Sequence, residues 1–308
     1  MFACKGRVGV IGATSLIGEC LLPLLVEDGY DVVAFSRRGQ DTQLPLKNPH
    51  VEWQIIRQAE YFSSSDIFHP EKQISHWVFL APIWVLPEYF LLLSLYGVKH
   101  IVAISSTSRF TKADSVDIIE QNLAKRLSDS EKCFVVWAKT KDVTWTILQP
   151  TLVYGLGHDK NISVIARFIQ RFSFFPLLGT AQGLRQPLHV YDLALSCLAS
   201  LNSEASINHS YNISGGETLP YREMIGRIFL AIDKKQRFVT FPLWLFRLAV
   251  MCLRVLPRFR HWSPAMAGRM NQDLVFDHGD ASRDLGFAPR PFRLTREDLP
   301  ALCSKMPS

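Results

Sequence analysis

Six short runs rich in β-branched and aromatic residues recur through the first half of this chain, each separated from the next by connecting sequence. They are RVGVI (7–11), DVVAFS (31–36), VEWQII (51–56), HWVFLA (76–81), HIVAIS (100–105) and TWTILQ (144–149). Strands that are apolar on both faces need cover on both sides, and strands that return in the same direction need helix-length crossovers. PEYFLLLSLYG (87–97) supplies one crossover helix, with Pro near its start and Gly at its end. DSVDIIEQNLAKRLSDSEKCFVVWAKTK (114–141) supplies another. The fold class this pattern predicts is α/β, a doubly wound parallel sheet.

After Pro150 the rhythm changes to mixed short elements punctuated by YGLGHDKN (154–161), LLGTAQG (177–183), NISGGETLP (212–220) and FAPRPF (287–292). We expect residues 1–150 to form the domain built on this sheet. Residues 151–308 form a smaller, mostly helical lobe over the carboxyl ends of the strands, not folded independently.

With 308 residues, 48% of them hydrophobic and 20% charged, the chain has the composition of a globular protein rather than a disordered one. Its formal charge of +6 is spread along the sequence without a block of like charges. A nucleic-acid arm is therefore not indicated, whereas an anionic small molecule is a suitable partner. Six scattered cysteines, with no CxxC pair and no histidine at ligand spacing, suggest neither a metal site nor a disulfide framework. Reduced thiols in a cytoplasmic protein are the expectation. The apolar N-terminal run is broken by glycines and continues into a patterned strand and helix, so it reads as structure and not as a targeting signal. The stretch 241–259, FPLWLFRLAVMCLRVLPRF, is interrupted by Arg247 and Arg254 short of the ~20 residues a spanning helix needs. It reads as a helix buried at an interface, with a peripheral membrane or protein contact as the alternative.

The first run leads directly into GATSLIG (12–18) and then a helix. Gly12 permits a tight turn, Gly18 permits close helix packing, and the helix N-terminus offers N–H groups to a pyrophosphate. Ser15 stands where a third glycine is usual. This is the signature of a Rossmann-type dinucleotide site; a tight turn without a ligand is the alternative. At the end of the second run an acidic residue would hold the ribose of NAD, but the sequence reads Ser36, Arg37, Arg38. A hydroxyl and two guanidiniums pair with a 2′-phosphate, so NADP is the expected cofactor and NAD the alternative, with two solvated loop arginines as the bland reading.

Taken together, VGVIGATSLIG, FSRR, IVAISSTS, WTILQPTLVYG, GLRQPLHVYDLA and YNISGGETLPYREM resemble the extended short-chain dehydrogenase/reductase superfamily, in its NAD-dependent epimerase/dehydratase group. The resemblance implies that Gly12, Thr14, Ser15, Leu16, Ile17 and Gly18 hold the pyrophosphate and Ser36, Arg37 and Arg38 the adenosine ribose. Leu80, Ala81 and Pro82 would meet the second ribose region, with Ser105, Ser106, Pro150 and Thr151 beside the nicotinamide. It places Thr107 at the catalytic Ser/Thr position, assigns substrate contact to Tyr154, Asn161 and Arg185, and implies a nucleotide-sugar substrate. Family members often pair through long helices, which makes the helix from Val116 to Lys139 the candidate homodimer surface.

The family's proton donor is a Tyr followed four residues later by Lys. Anchoring on Glu131 puts Leu123 and Leu127 at those positions, and none of the eight tyrosines has Lys four residues on. Three readings follow. An atypical NADP-dependent enzyme would use Thr107 and Lys112, with Tyr154 or His158 as further candidates. A catalytically inactive NADP(H)-binding structural or redox-sensing subunit would need neither. An enzyme of a membrane-associated glycan or lipid pathway would attach to a partner through 241–259.

Overall fold

The computed structural model describes residues 5–37, 48–56, 73–242 and 268–301. In chain order the first half forms β1 (Gly6–Ile11), α1 (Leu16–Glu27), β2 (Tyr30–Ser36), β3 (Val51–Ile55) and β4 (His76–Phe79). A 3-10 segment, Ile83–Tyr89, runs into α2 (Phe90–Leu95), followed by β5 (His100–Ile104), α3 (Ser108–Thr111), α4 (Ile118–Thr140) and β6 (Thr144–Pro150). The second half adds β7 (Val153–Tyr154), α5 (Ile162–Phe172), β8 (Phe175–Leu178), β9 (Leu184–Arg185), β10 (Leu188–His189) and α6 (Val190–Asn202). β11 (His209–Ile213), β12 (Leu219–Pro220), α7 (Tyr221–Ala231), β13 (Phe238–Phe241) and α8 (Gly279–Leu285) complete it.

Seven parallel strands build the central sheet in the order β11-β6-β5-β4-β1-β2-β3. All six expected strands are in it. The alternation of strand residues separates two cores. Val8, Val10, Val32, Ala34, Val78, Val102 and Leu148 pack under α1 and α6 on one face. Val33, Phe35, Trp77, Phe79, Ile101 and Ile147 pack under α2 and α4 on the other. The direction of winding reverses between β1 and β4, and there the carboxyl ends of neighbouring strands diverge into a crevice.

The crossover expected at 87–97 is α-helical only from Phe90; the stretch before it is 3-10, with Pro82 at its N-cap and Pro87 inside it, where Pro87 has no N–H to donate to an α-helical turn. The chain beyond residue 150 returns to the sheet: β11 pairs in parallel with β6, and α6 covers the α1 face. The rest of that half forms a lobe with its own apolar centre, built on α5, α7, β8 and Tyr154. Among the described residues its strands pair in twos, β7 with β10, β8 with β13 and β9 with β12. Arg38 and residues 243–259 of the apolar stretch lie outside the described residues.

Candidate active site

Two clefts open at the carboxyl edge of the sheet. The first, about 540 Å³, lies over β1, β2 and β4 and gathers Gly12, Thr14, Ser15, Ser36, Arg37, Leu80, Ala81 and Pro82. The loop after β1 folds tightly: Gly12 has φ +83°, and a Cβ on it would sit 2.9 Å from the Ala81 backbone nitrogen. A Cβ on Gly18 would lie 2.1 Å from the Ala13 carbonyl oxygen, so only glycine lets α1 begin this close to the loop. Ser15 caps α1, its hydroxyl accepting from the Gly18 N–H at 3.2 Å. The side chains of Leu16 and Ile17 pack against the core, so those two residues can contribute only their backbone N–H groups. Phe35, Ile56 and Tyr89 supply an apolar wall that the motifs did not reveal. Burial raises the Tyr89 phenol pKa, while the charge of Arg37 opposes that rise. A glycine-closed cradle at a helix N-terminus, flanked by an apolar wall and an exposed arginine, fits the adenosine diphosphate half of a dinucleotide.

The second cleft, about 320 Å³, lies beyond β5 and β6. It brings together Ser106, Thr107, Lys112, Thr151, Asn161 and Arg185, along with Ser108, Thr111, Gln186 and Arg269. Among the described residues no carboxylate lines it, whereas three cations do. Burial lowers the Lys112 ammonium pKa, the nearby Arg269 charge adds to this, and Glu120 opposes it. Arg269 itself pairs with Glu120 at 3.1 Å. Thr107 is buried and its hydroxyl donates to the Pro150 carbonyl at 3.1 Å. The Ser106 hydroxyl accepts from Ser108 N–H at 3.1 Å, and the Thr151 hydroxyl donates to Gln186 O at 2.6 Å. The Asn161 amide donates to Val153 O at 2.8 Å.

Ser105 does not reach either cleft. Its hydroxyl turns inward and donates to Glu131 at 2.5 Å, in a network where Gln149 also donates to Glu131, at 3.1 Å to each oxygen. Arg109 closes that network with an ion pair to the same carboxylate, which is 4% exposed. Glu131 therefore ties the end of β5, the turn carrying Thr107 and the end of β6 to α4. Pro150 contributes its carbonyl, which takes both the N–H and the hydroxyl of Thr107.

Tyr154 is a correction to the sequence reading. It is fully buried in the lobe core, edge-on to His189 and Phe292, and its hydroxyl donates to Arg293 O at 3.3 Å. Burial and the charge of Asp298 raise its pKa, so it offers no accessible acid. His158 is also outside the cleft; it bridges the Leu156 carbonyl and Glu19 on α1. Arg185 lines the cleft but commits three of its five N–H groups to the carbonyls of Leu184, Gln272 and Arg269, and stacks on Tyr221. That leaves it less to offer a diphosphate than its sequence position implies. Leu127 is core packing between α4 and the sheet, with Leu123 beside it. The sequence reading missed Arg269, which lies 84 positions along the chain from Arg185 and meets it only in the folded molecule. It used Glu131 only as an anchor, because the burial that gives this carboxylate its role is not visible in sequence.

The class these features define is supported by comparison with known proteins. Residues 92–214 match the NAD dependent epimerase/dehydratase family, so the resemblance read from the motifs is borne out. UDP-glucose 4-epimerase of Vibrio cholerae is 25% identical over 39% of this chain and 37% of its own length, so this chain spans little more than a third of that relative. The mitochondrial NADH dehydrogenase [ubiquinone] 1 alpha subcomplex subunit 9 of Dictyostelium discoideum is 23% identical over 71% of this chain and 62% of that protein. The UDP-glucuronic acid 4-epimerase of Bacillus cereus, solved in complex with NAD, superposes with a TM-score of 0.67 at 17% identity, covering 95% of this chain and 93% of that one. The shared architecture is the Rossmann-like parallel sheet with flanking helices.

Proposed function

We propose that this chain is an NADP(H)-binding oxidoreductase of the epimerase/dehydratase type that acts on a nucleotide sugar or a similar anionic substrate without a Tyr–Lys pair. The observation that carries this reading is the second cleft. Lys112, Arg185 and Arg269 line it, and among the described residues no carboxylate does, Glu120 pairing with Arg269 from outside the lining; Thr107 stands beside them, along the same sheet edge as the nucleotide cleft. The named relatives that act on UDP-sugars support the substrate class. Arg37, exposed at the end of β2 where NAD enzymes of this fold place a carboxylate, supports NADP over NAD.

A bound nicotinamide would supply hydride transfer. Gly12, Ser15 and the first turn of α1 would hold the pyrophosphate, and Arg37 a 2′-phosphate. The cations of the second cleft would hold the substrate's anionic group. Lys112 would exchange the proton, since burial has already brought its ammonium towards the working range of a general acid. Thr107 would accept from the substrate hydroxyl with its free lone pairs while its own O–H goes on donating to the Pro150 carbonyl. The free thiols of Cys20, Cys133 and Cys197 suit a cytoplasmic setting. The exposed Ile118, Ile119 and Val136 of α4 would be the contact in a homodimer.

A second reading, an NADP(H)-binding subunit without chemistry, is favoured by the two leucines at the dyad positions and by the likeness to the respiratory subunit. Titration calorimetry with NADPH, NADH and a panel of UDP-sugars separates the readings. The enzyme reading expects NADPH to bind at least tenfold more tightly than NADH, with that margin lost in Arg37→Ala. It also expects UDP-sugar binding and cofactor turnover, and loss of turnover in Lys112→Ala and Thr107→Ala. Cofactor binding with no sugar-nucleotide binding selects the subunit reading, and equal affinity for NADH and NADPH removes the NADP assignment.

A further inference from the structure

One corner of the lobe carries a combination of exposed cations and exposed apolar side chains. Phe172 is 50% exposed at the last turn of α5, Val239 is 41% exposed and Phe241 37% exposed on β13. Phe168, Phe172 and Phe174 form one ring cluster, with centroids 4.7 to 6.4 Å apart. The two segments are neighbours in space. β13 runs parallel to β8, which begins at the residue after Phe174, and Phe175 N–H donates to the Arg237 carbonyl at 2.9 Å.

The charge on this corner is one-sided. Residues 162–175 and 232–242 contain Arg167, Arg171, Lys234, Lys235 and Arg237 against a single acid, Asp233. Lys234 is used internally: its ammonium donates to the Ile169 and Gln170 carbonyls and to the Ser173 hydroxyl, closing the end of α5. The other four are exposed, and the Arg171 guanidinium lies 5.5 Å from the Phe172 ring centre.

We infer that this corner, α5 with the 233–241 segment, is a docking surface for an anionic lipid bilayer. A protein interface gathers apolar residues at a centre depleted of charge. Here guanidiniums and ammoniums interleave with phenylalanines, the arrangement in which apolar rings enter the headgroup boundary while basic groups meet lipid phosphates. Each basic group near such a surface adds to the attraction, which fades within a Debye length, so binding depends on salt. Among the described residues no helix is long and apolar enough to cross a membrane.

Co-sedimentation of the full chain with vesicles tests this, using phosphatidylcholine alone against phosphatidylcholine with about a third phosphatidylglycerol. The expected result is sedimentation with the anionic vesicles only, diminishing as salt is raised. Arg171→Glu with Arg237→Glu should lower the partition coefficient about tenfold or more, and Phe172→Ser with Phe241→Ser should lower it severalfold. Unchanged affinity for NADPH, or an unchanged circular dichroism spectrum, certifies the fold of each variant. The single exposed change Arg171→Glu should give an intermediate loss. No binding to anionic vesicles, equal binding to neutral ones, or undiminished binding by the substituted chains each overturns the assignment. A surface made for a protein partner gives the first of these outcomes, and lipid attachment elsewhere in the chain gives the last.

Discussion

His100, at the amino end of β5 and opposite the clefts, shows how one residue couples stability to pH. Its ring is buried and shares Nδ1 with the Thr144 hydroxyl at 2.8 Å, while that hydroxyl donates to Lys99 O at 3.0 Å. Burial pushes its pKa down to about 4, and His76 alongside adds to the shift, with the Ser200 carbonyl opposing. The unfolded chain takes up a proton near the ordinary value of about 6.5 and the folded one does not, so between the two the unfolded state binds more protons. Stability is therefore full above about pH 6.5 and falls as pH drops towards 4. Urea unfolding at roughly pH 5 should show about 2 kcal/mol less stability from this group than at roughly pH 7. In His100→Asn that part of the pH dependence should vanish. Nothing in HIVAIS announces this, because the sequence shows a histidine at a strand start without showing what covers it. Thr107 and Lys112, by contrast, could be singled out from the sequence, since chain position alone puts both just beyond the fifth strand.

At the scale of elements, α1 and its loop illustrate local sequence and packing acting together. Ser15→Ala removes the hydroxyl that accepts from Gly18 N–H and should cost about 1 kcal/mol. Gly18→Val places carbon against the Ala13 carbonyl and should cost about 1–3 kcal/mol, with a large loss of NADPH affinity as the loop shifts. Thermal unfolding and cofactor titration measure the two effects separately, and a Gly18→Val protein as stable as the parent would remove the packing explanation. The six strands and α4 were legible because their apolar periods run over several residues and are bounded by turn signals. Asp117 caps α4 and accepts from Ile119 N–H at 2.9 Å. The paired bridges of two residues in the lobe were not legible, since two residues carry no period.

For the whole molecule, the segment after α8 is what clamps lobe and sheet together. Asp192 on α6 accepts from the Arg290 backbone N–H at 3.0 Å and from its guanidinium at 2.8 Å. Asp298 bonds His189, which caps the same helix, at 2.9 Å, and takes the Thr295 N–H and hydroxyl at 2.9 Å each. Burial works to raise the Asp298 pKa, but the His189 and Thr295 hydrogen bonds outweigh it and hold the carboxyl below its ordinary value. Its contribution is present above the unfolded value of about 3.9 and is lost as pH falls through the folded one. Asp298→Ala should cost about 1.5–3 kcal/mol and make the 287–301 segment more sensitive to limited proteolysis; unchanged protection would show that the clamp lies elsewhere.

Hydrophobic period, the glycine turn and the order of motifs determined the sheet, the glycine-closed cradle after β1 and the hydroxyl cluster at Ser105–Ser108, because each is set by neighbours a few residues apart. Tertiary structure alone decided which of those hydroxyls reach the cleft. It turned Ser105 inward to Glu131, buried Tyr154, spent Arg185 on three carbonyls and brought Arg269 to Lys112. Those outcomes depend on contacts between residues tens of positions apart. Burial and hydrogen bonding there are properties of the packed molecule and not of any segment of it.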